Sequence, residues 1–108
     1  MKLEGRGRVK FPKFDRPMIR INNGNFEILD LSPIGVKFKG TKDLSLDRQN
    51  EYIVELIFVE QKPIKTKAKL ARKVGDLFAL AFTKAVPEKI LLKEAERIKK
   101  RHGDVKIS

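Results

Sequence analysis

A chain of 108 residues suffices for one domain with a modest hydrophobic core. It has no cysteine and a single histidine, which excludes disulfides and thiolate metal sites and leaves little material for a zinc site. Its 25 Lys and Arg outweigh 14 Asp and Glu for a formal net charge of +11, favouring an anionic partner: nucleotide, nucleic acid, acidic protein or membrane surface. A lysine-rich surface serving solubility alone would carry the same charge. Hydrophobic residues make up 41% and charged residues 36%, the balance of a folded, soluble domain. No apolar run approaches the ~20 residues that span a bilayer. The first residues, Met1 to Arg6, lack the apolar centre of a signal peptide. A cytoplasmic location without membrane insertion is expected.

Residues 1–16 form a basic N-terminal arm, expected to be flexible. Gly5-Arg6-Gly7-Arg8-Val9-Lys10 alternates glycine with cations, and Phe11 and Phe14 offer two aromatic anchors. Residues 17–108 carry the folded part. Arg16–Ile21 reads as a strand, followed by Asn22-Asn23-Gly24-Asn25, a hairpin turn whose residues tolerate positive φ. Phe26–Leu29 is the returning strand and leads into Asp30-Leu31-Ser32-Pro33-Ile34-Gly35. In that corner Pro33 presets φ, Gly35 offers conformational freedom and Ser32 can bond nearby backbone. Asp30 supplies acceptor oxygens, and an acid held at a rigid corner of a basic chain suggests a ligand with donors as well as negative charge. The same residues also make a good turn and nothing more.

Ile34–Lys39 is the third strand, with Val36 and Phe38 on one face and Lys37 and Lys39 on the other. Thr41–Asn50 is a polar loop. Tyr52–Val59 presents Tyr52, Val54, Leu56 and Phe58 on one apolar face. Ile64–Arg72 alternates Ile64, Thr66, Ala68 and Leu70 with Lys65, Lys67 and Lys69. Leu77–Phe82 is the sixth strand. Six strands joined by short turns predict a mostly β fold, a small six-stranded antiparallel β-barrel, which removes exposed edges by closure. A C-terminal α-helix from about Pro87 to Arg101 completes it, with Ile90, Leu91, Ala95 and Ile98 as its buried stripe. His102 reads as a helix-end cation without a partner acid nearby in sequence.

This order of arm, hairpin, Asp-x-Ser-x-x-Gly corner, further strands and Pro-led helix resembles the PilZ domain, a bacterial receptor for cyclic di-GMP. The resemblance runs from about residue 5 to 102. Residues 30–35 match that family's Asp/Asn-x-Ser-x-x-Gly motif in full, and Gly75 to Phe82 resembles its penultimate strand. The family's Arg-x-x-x-Arg motif is altered: the arm has Arg6-Gly7-Arg8-Val9-Lys10. A literal copy occurs at Arg16 and Arg20, but Arg20 falls inside the first strand. The resemblance therefore implies a ligand site of Arg6, Arg8, Lys10, Asp30, Ser32 and Gly35, with Arg16 and Arg20 as the alternative pair.

In such a site arginine grips phosphate or the guanine edge as a fork. Lys10 keeps the charge and loses the fork. The resemblance also implies that Asp30 accepts from guanine N–H groups, Ser32 bonds the ligand and Gly35 sets the turn. The expected function is a cyclic di-GMP-binding adaptor whose arm moves on binding and which regulates an effector protein through signal transduction. One alternative is a PilZ-like interaction module that ignores the nucleotide. Another is a non-specific nucleic-acid-binding barrel, resting on the charge and the lysine face. No cofactor or metal is expected. No nucleophile–base pair or phosphate-cradling loop marks an enzyme.

Overall fold

The computed structural model describes residues 8–103. Seven strands precede one helix: β1 (Val9–Lys10), β2 (Met18–Ile21), β3 (Gly24–Ser32), β4 (Gly35–Lys39), β5 (Glu51–Ile57), β6 (Ile64–Val74), β7 (Leu77–Phe82) and α1 (Glu88–His102). All pairings are antiparallel and run β3-β2-β5-β6-β7-β4, and a β3–β4 ladder closes the circle. The result is the expected six-stranded barrel and helix, with β1 as one extra strand on β3. The β2–β3 hairpin turns on Asn22 and Asn23, whose φ values of 49° and 65° suit a tight primed turn. Val36 and Phe38, Val54 and Leu56, and Phe78 and Leu80 alternate into the core as their period of two requires.

Two ladders contain a bulge, in β3 between Ile28 and Asp30 and in β6 between Leu70 and Arg72. Each reverses the phase of the strand. Ile28 and Leu31 both point into the core although three residues apart, and Asp30 turns to the outer face opposite Lys37. Likewise Leu70 faces inward opposite Leu80, while Arg72 stands outward opposite Ala79.

The described part of the basic arm lies along the barrel. Val9 and Lys10 pair with Leu31 and Asp30, and the Phe11 N–H extends the ladder to the Leu29 carbonyl at 2.9 Å. Val9 and Phe11 enter the core. The strand is absent from the sequence reading because only two residues pair, too few for alternation to show. Phe14 is not an anchor: it is 90% exposed, beside Lys13, with φ at 75°.

Pro87 caps α1 from outside rather than occupying its first turn. Leu91, Ala95 and Ile98 are buried as expected, and α1 packs beside β1 and β3. Between arm and helix lies a buried ion cluster. Arg97 Nη1 donates to Asp15 Oδ1 at 2.7 Å, and Nη2 donates to Glu94 Oε1 at 3.1 Å and to the Asp15 carbonyl at 3.2 Å. Arg101 and His102 reach Asp15 Oδ2 at 3.0 and 2.6 Å. The partner acid of His102 is thus 87 residues away in the chain. Burial alone would favour neutral Arg97, but Glu94 and Asp15 more than offset it and hold the guanidinium charged.

Asp15→Asn should lower stability by about 3–5 kcal/mol, the cost of breaking a buried ion pair, read as a reduced urea midpoint at pH 7. The bond from His102, then that from Arg97 and the Arg101 charge, holds the Asp15 carboxyl below its usual 3.8, against the opposing effect of burial. A depressed carboxyl stabilises the fold above its unfolded value and loses that contribution as pH falls through the folded one. The acid-unfolding limb below pH 3.8 should accordingly be steeper in the wild type than in Asp15→Asn.

Candidate functional site

The corner that joins β3 to β4 is built by local bonds. Ser32 Oγ accepts from the Gly35 N–H at 3.1 Å and the Ile34 N–H at 3.3 Å. Two backbone bonds clamp the turn from outside: Phe82 N–H to the Ile34 carbonyl at 2.8 Å and Val86 N–H to the Pro33 carbonyl at 2.9 Å. Ser32 is buried and its hydroxyl is engaged within the turn. The requirement for glycine at position 35 has a different cause from the positive φ that a sharp bend invites. Gly35 is outside the left-handed region, but a Cβ there would lie 2.8 Å from the Leu80 carbonyl oxygen of β7. Close approach of two strands excludes a side chain.

Asp30 emerges from this corner on the outer face. Arg8 Nη1 donates to its Oδ1 at 2.8 Å, with the Asp30 side chain 10% and the Arg8 side chain 43% exposed. Arg8 is the open member of this pair and Asp30 the buried one, so a ligand that displaces Arg8 must bring donors of its own to the carboxylate. Lys10 is the register partner of Asp30 on β1, and Lys37 is its partner on β4. Partners in register share a face, so three cations surround one carboxylate. The structure therefore brings Arg8, Lys10, Asp30, Ser32 and Gly35 together. Arg6 lies outside the described residues.

The alternative pair is placed elsewhere. Arg20 bonds Asn25 Oδ1 at 3.1 Å and pairs with Glu55 at 3.4 Å. Asn25 is five residues before Asp30 along β3, about 17 Å of strand. Arg16 pairs with Glu27 at 3.3 Å and its Nε donates to the Phe11 carbonyl at 3.4 Å, so it fastens the arm. Lys65, Lys67 and Lys69 do face solvent, but Glu55 and Glu51 stand opposite Lys65 and Lys69 on β5, which weakens the field of that face. Lys37 is the contributor that sequence reasoning missed. Its alternation with Phe38 put it on the outer face, but only strand order sets it beside Asp30.

Among the described residues, no three His, Cys, Asp or Glu side chains are grouped to hold a metal ion, and no helix is long and apolar enough to cross a membrane.

No protein-family model and no curated protein matches the chain. Solved structures do. An uncharacterized Legionella protein superposes with a TM-score of 0.64 at 18% identity, over 90% of this chain and 98% of that one. The PlzA protein of Borreliella burgdorferi, crystallised in complex with cyclic di-GMP, superposes with a TM-score of 0.56 at 17% identity, over 89% of this chain. The chain spans about half of that protein, 51% of its length. The likeness is one of fold: the barrel, with its helix, is PilZ-like.

Gly35→Ala should destabilise the barrel by about 1–3 kcal/mol, the range for overpacking, seen as a lower melting temperature by circular dichroism. The reason is the Leu80 carbonyl, so Gly75→Ala makes a useful contrast. A Cβ at Gly75 meets nothing, and the cost there comes from its φ of 61° alone.

Proposed function

We propose that the chain is a cytoplasmic adaptor that binds cyclic di-GMP at the Asp30 corner and passes the change to an effector protein. The observation that carries this reading is the convergence of Arg8 and Lys10, from the arm, on the outward carboxylate of Asp30. A guanine edge presents N–H donors, which suit Asp30, and O6 and N7 acceptors, which suit Arg8. The phosphates suit Lys10 and the freed donors of Arg8. Ser32 and Gly35 shape the corner that presents Asp30; Ser32 acts through the turn it ties. The barrel fold shared with PlzA, which was crystallised with cyclic di-GMP, supports the same ligand class.

Binding replaces the Arg8–Asp30 pair and reorients Arg8, ahead of the anchored Val9 and Lys10. The arm is fixed from Val9 onward by the β1–β3 ladder, the buried Val9 and Phe11 and the Asp15 cluster, so the change on binding falls at Arg8, which a half-open ion pair holds. The altered surface there is what an effector protein reads. Grip and charge are what the described residues of the site offer a ligand.

Calorimetric titration with cyclic di-GMP at physiological salt, against GTP, tests this. Specific binding is expected, lost in Asp30→Ala and weakened in Arg8→Ala. Lys10→Arg restores a planar fork and should tighten binding by roughly tenfold or more, the worth of one bidentate contact. No heat and no thermal shift at high ligand concentration would overturn the receptor reading and favour the interaction module. Salt-sensitive binding to any DNA or RNA would favour the nucleic-acid reading instead.

A further inference from the structure

Between the turn that joins β5 to β6 and the outer side of α1 lies a groove of about 630 Å³. One wall is the turn from Glu60 to Pro63, and the other is the helix from Lys89 to Arg101. None of its lining residues belongs to the Asp30 corner or to β1, β3, β4 or β7. We propose that this groove is a docking surface for an acidic segment of a partner protein. The inference goes beyond the nucleotide reading and does not rest on it: such a groove holds its partner whether or not the Asp30 corner is filled.

The groove is fixed by its own bonds. Gln61 Nε2 donates to the Ile90 carbonyl at 3.1 Å and to Glu94 Oε2 at 3.2 Å, which fastens the turn to the helix. Buried Glu94 is also held by Arg97, and Arg97 and Arg101 are engaged with Asp15. The inner charges are thus satisfied before any partner arrives. A surface set in advance loses less freedom on binding. Ile64 and Ile90 are half-buried and give the floor an apolar footing for one side chain.

The rim is different. Lys62, Lys89, Lys93 and Lys100 are exposed, and among the described residues none of them has an ion-pair partner. The exposed carboxylates of the lining are Glu60 and Glu96, two against four cations. Lys89, Lys93 and Lys100 recur at i, i+4 and i+11, which puts them on one side of α1 over about 16 Å. Glu96 falls on the same stripe at i+7, so the stripe reads cation, cation, anion, cation. That pattern decides the kind of anion. Nucleic acid carries phosphate along its whole length and would meet Glu96 with like charge. A polypeptide can set Asp or Glu opposite the lysines and leave acid out opposite Glu96, which avoids the cost of facing like charges. An extended segment with acids at alternate positions spaces them by about 7 Å, close to the ~6 Å rise from Lys89 to Lys93.

The test is amide-resolved NMR titration of the full chain, without cyclic di-GMP, with three probes: a Glu-rich peptide carrying one central Leu, the same peptide with Gln for Glu, and single-stranded DNA. The acidic peptide should move the amides of Gln61, Ile90 and Lys93, more weakly as salt rises. The Gln peptide should leave them still. Lys89→Glu combined with Lys93→Glu should weaken the acidic peptide by roughly tenfold or more, because like charges then face each other. Both replaced side chains are exposed, so the helix should show an unchanged circular dichroism spectrum. Asp30→Ala should bind the peptide as the wild type does. Silence of these amides at millimolar acidic peptide, equal shifts with the Gln peptide, or unchanged affinity in the double variant would overturn the docking surface. Tighter binding of DNA at the same amides would overturn it in favour of a general polyanion site. Failure of the receptor reading is separate: it shows only when cyclic di-GMP is added and residues 30–35 stay unmoved.

Discussion

Strand β3 is where the phase of the whole barrel is set. One of its edges carries β2 along the first half and β1 along the second, and the other carries β4. Side chains alternate along a strand, so a slip of one residue would exchange core and surface for all three neighbours. The bulge before Asp30 inserts that slip deliberately in one strand only. Without it, alternation from Ile28 would drive the Asp30 carboxylate into the core, where an unpaired charge is not tolerated. With it, Ile28 and Leu31 both stay inside and Asp30 faces out beside Arg8, Lys10 and Lys37. The bulge in β6 does the same for Arg72. The outward row of charge exists because the ladders are interrupted at these two points.

The arm is held by two attachments of different strength. At its near end Arg8 meets Asp30 in a half-open ion pair that solvent screens. At its far end Asp15 is enclosed by Arg97, Arg101 and His102 of α1, with Glu94 completing the cluster. A buried carboxylate with this many donors is hard to release, since losing one partner strands the rest. Between these ends Val9 and Phe11 root the arm in the core. A ligand that displaces Arg8 therefore acts on the weak attachment, while the strong one keeps the arm's direction relative to the helix.

Most of the architecture was legible because it rests on short-range patterns. The alternation of Ile64, Thr66, Ala68 and Leu70 with lysines, the Asn-Asn turn and the helical stripe of Leu91, Ala95 and Ile98 all correspond to elements in place. Two local readings needed correction, one in its cause and one in its outcome. Gly35 is required by the backbone of β7, not by its own φ, and Phe14 points to solvent while Phe11 alone is an anchor. Strand β1 escaped notice because two residues have no period.

By itself, then, the sequence determined what depends on neighbours within a few residues: strand faces, the hairpin, the Ser32-to-Gly35 turn and the helix with its basic end. Tertiary structure alone decided which of those faces meet. Asp15 and Arg97 are 82 residues apart, and nothing in local spacing joins them. Lys37 and Arg72 flank Asp30's row only through the order β3-β4-β7-β6 and two bulges. The physical reason is that hydrogen-bonded register is a property of strand pairs. A chain read in one dimension shows which side chains share a face of one strand, but not which strand lies alongside.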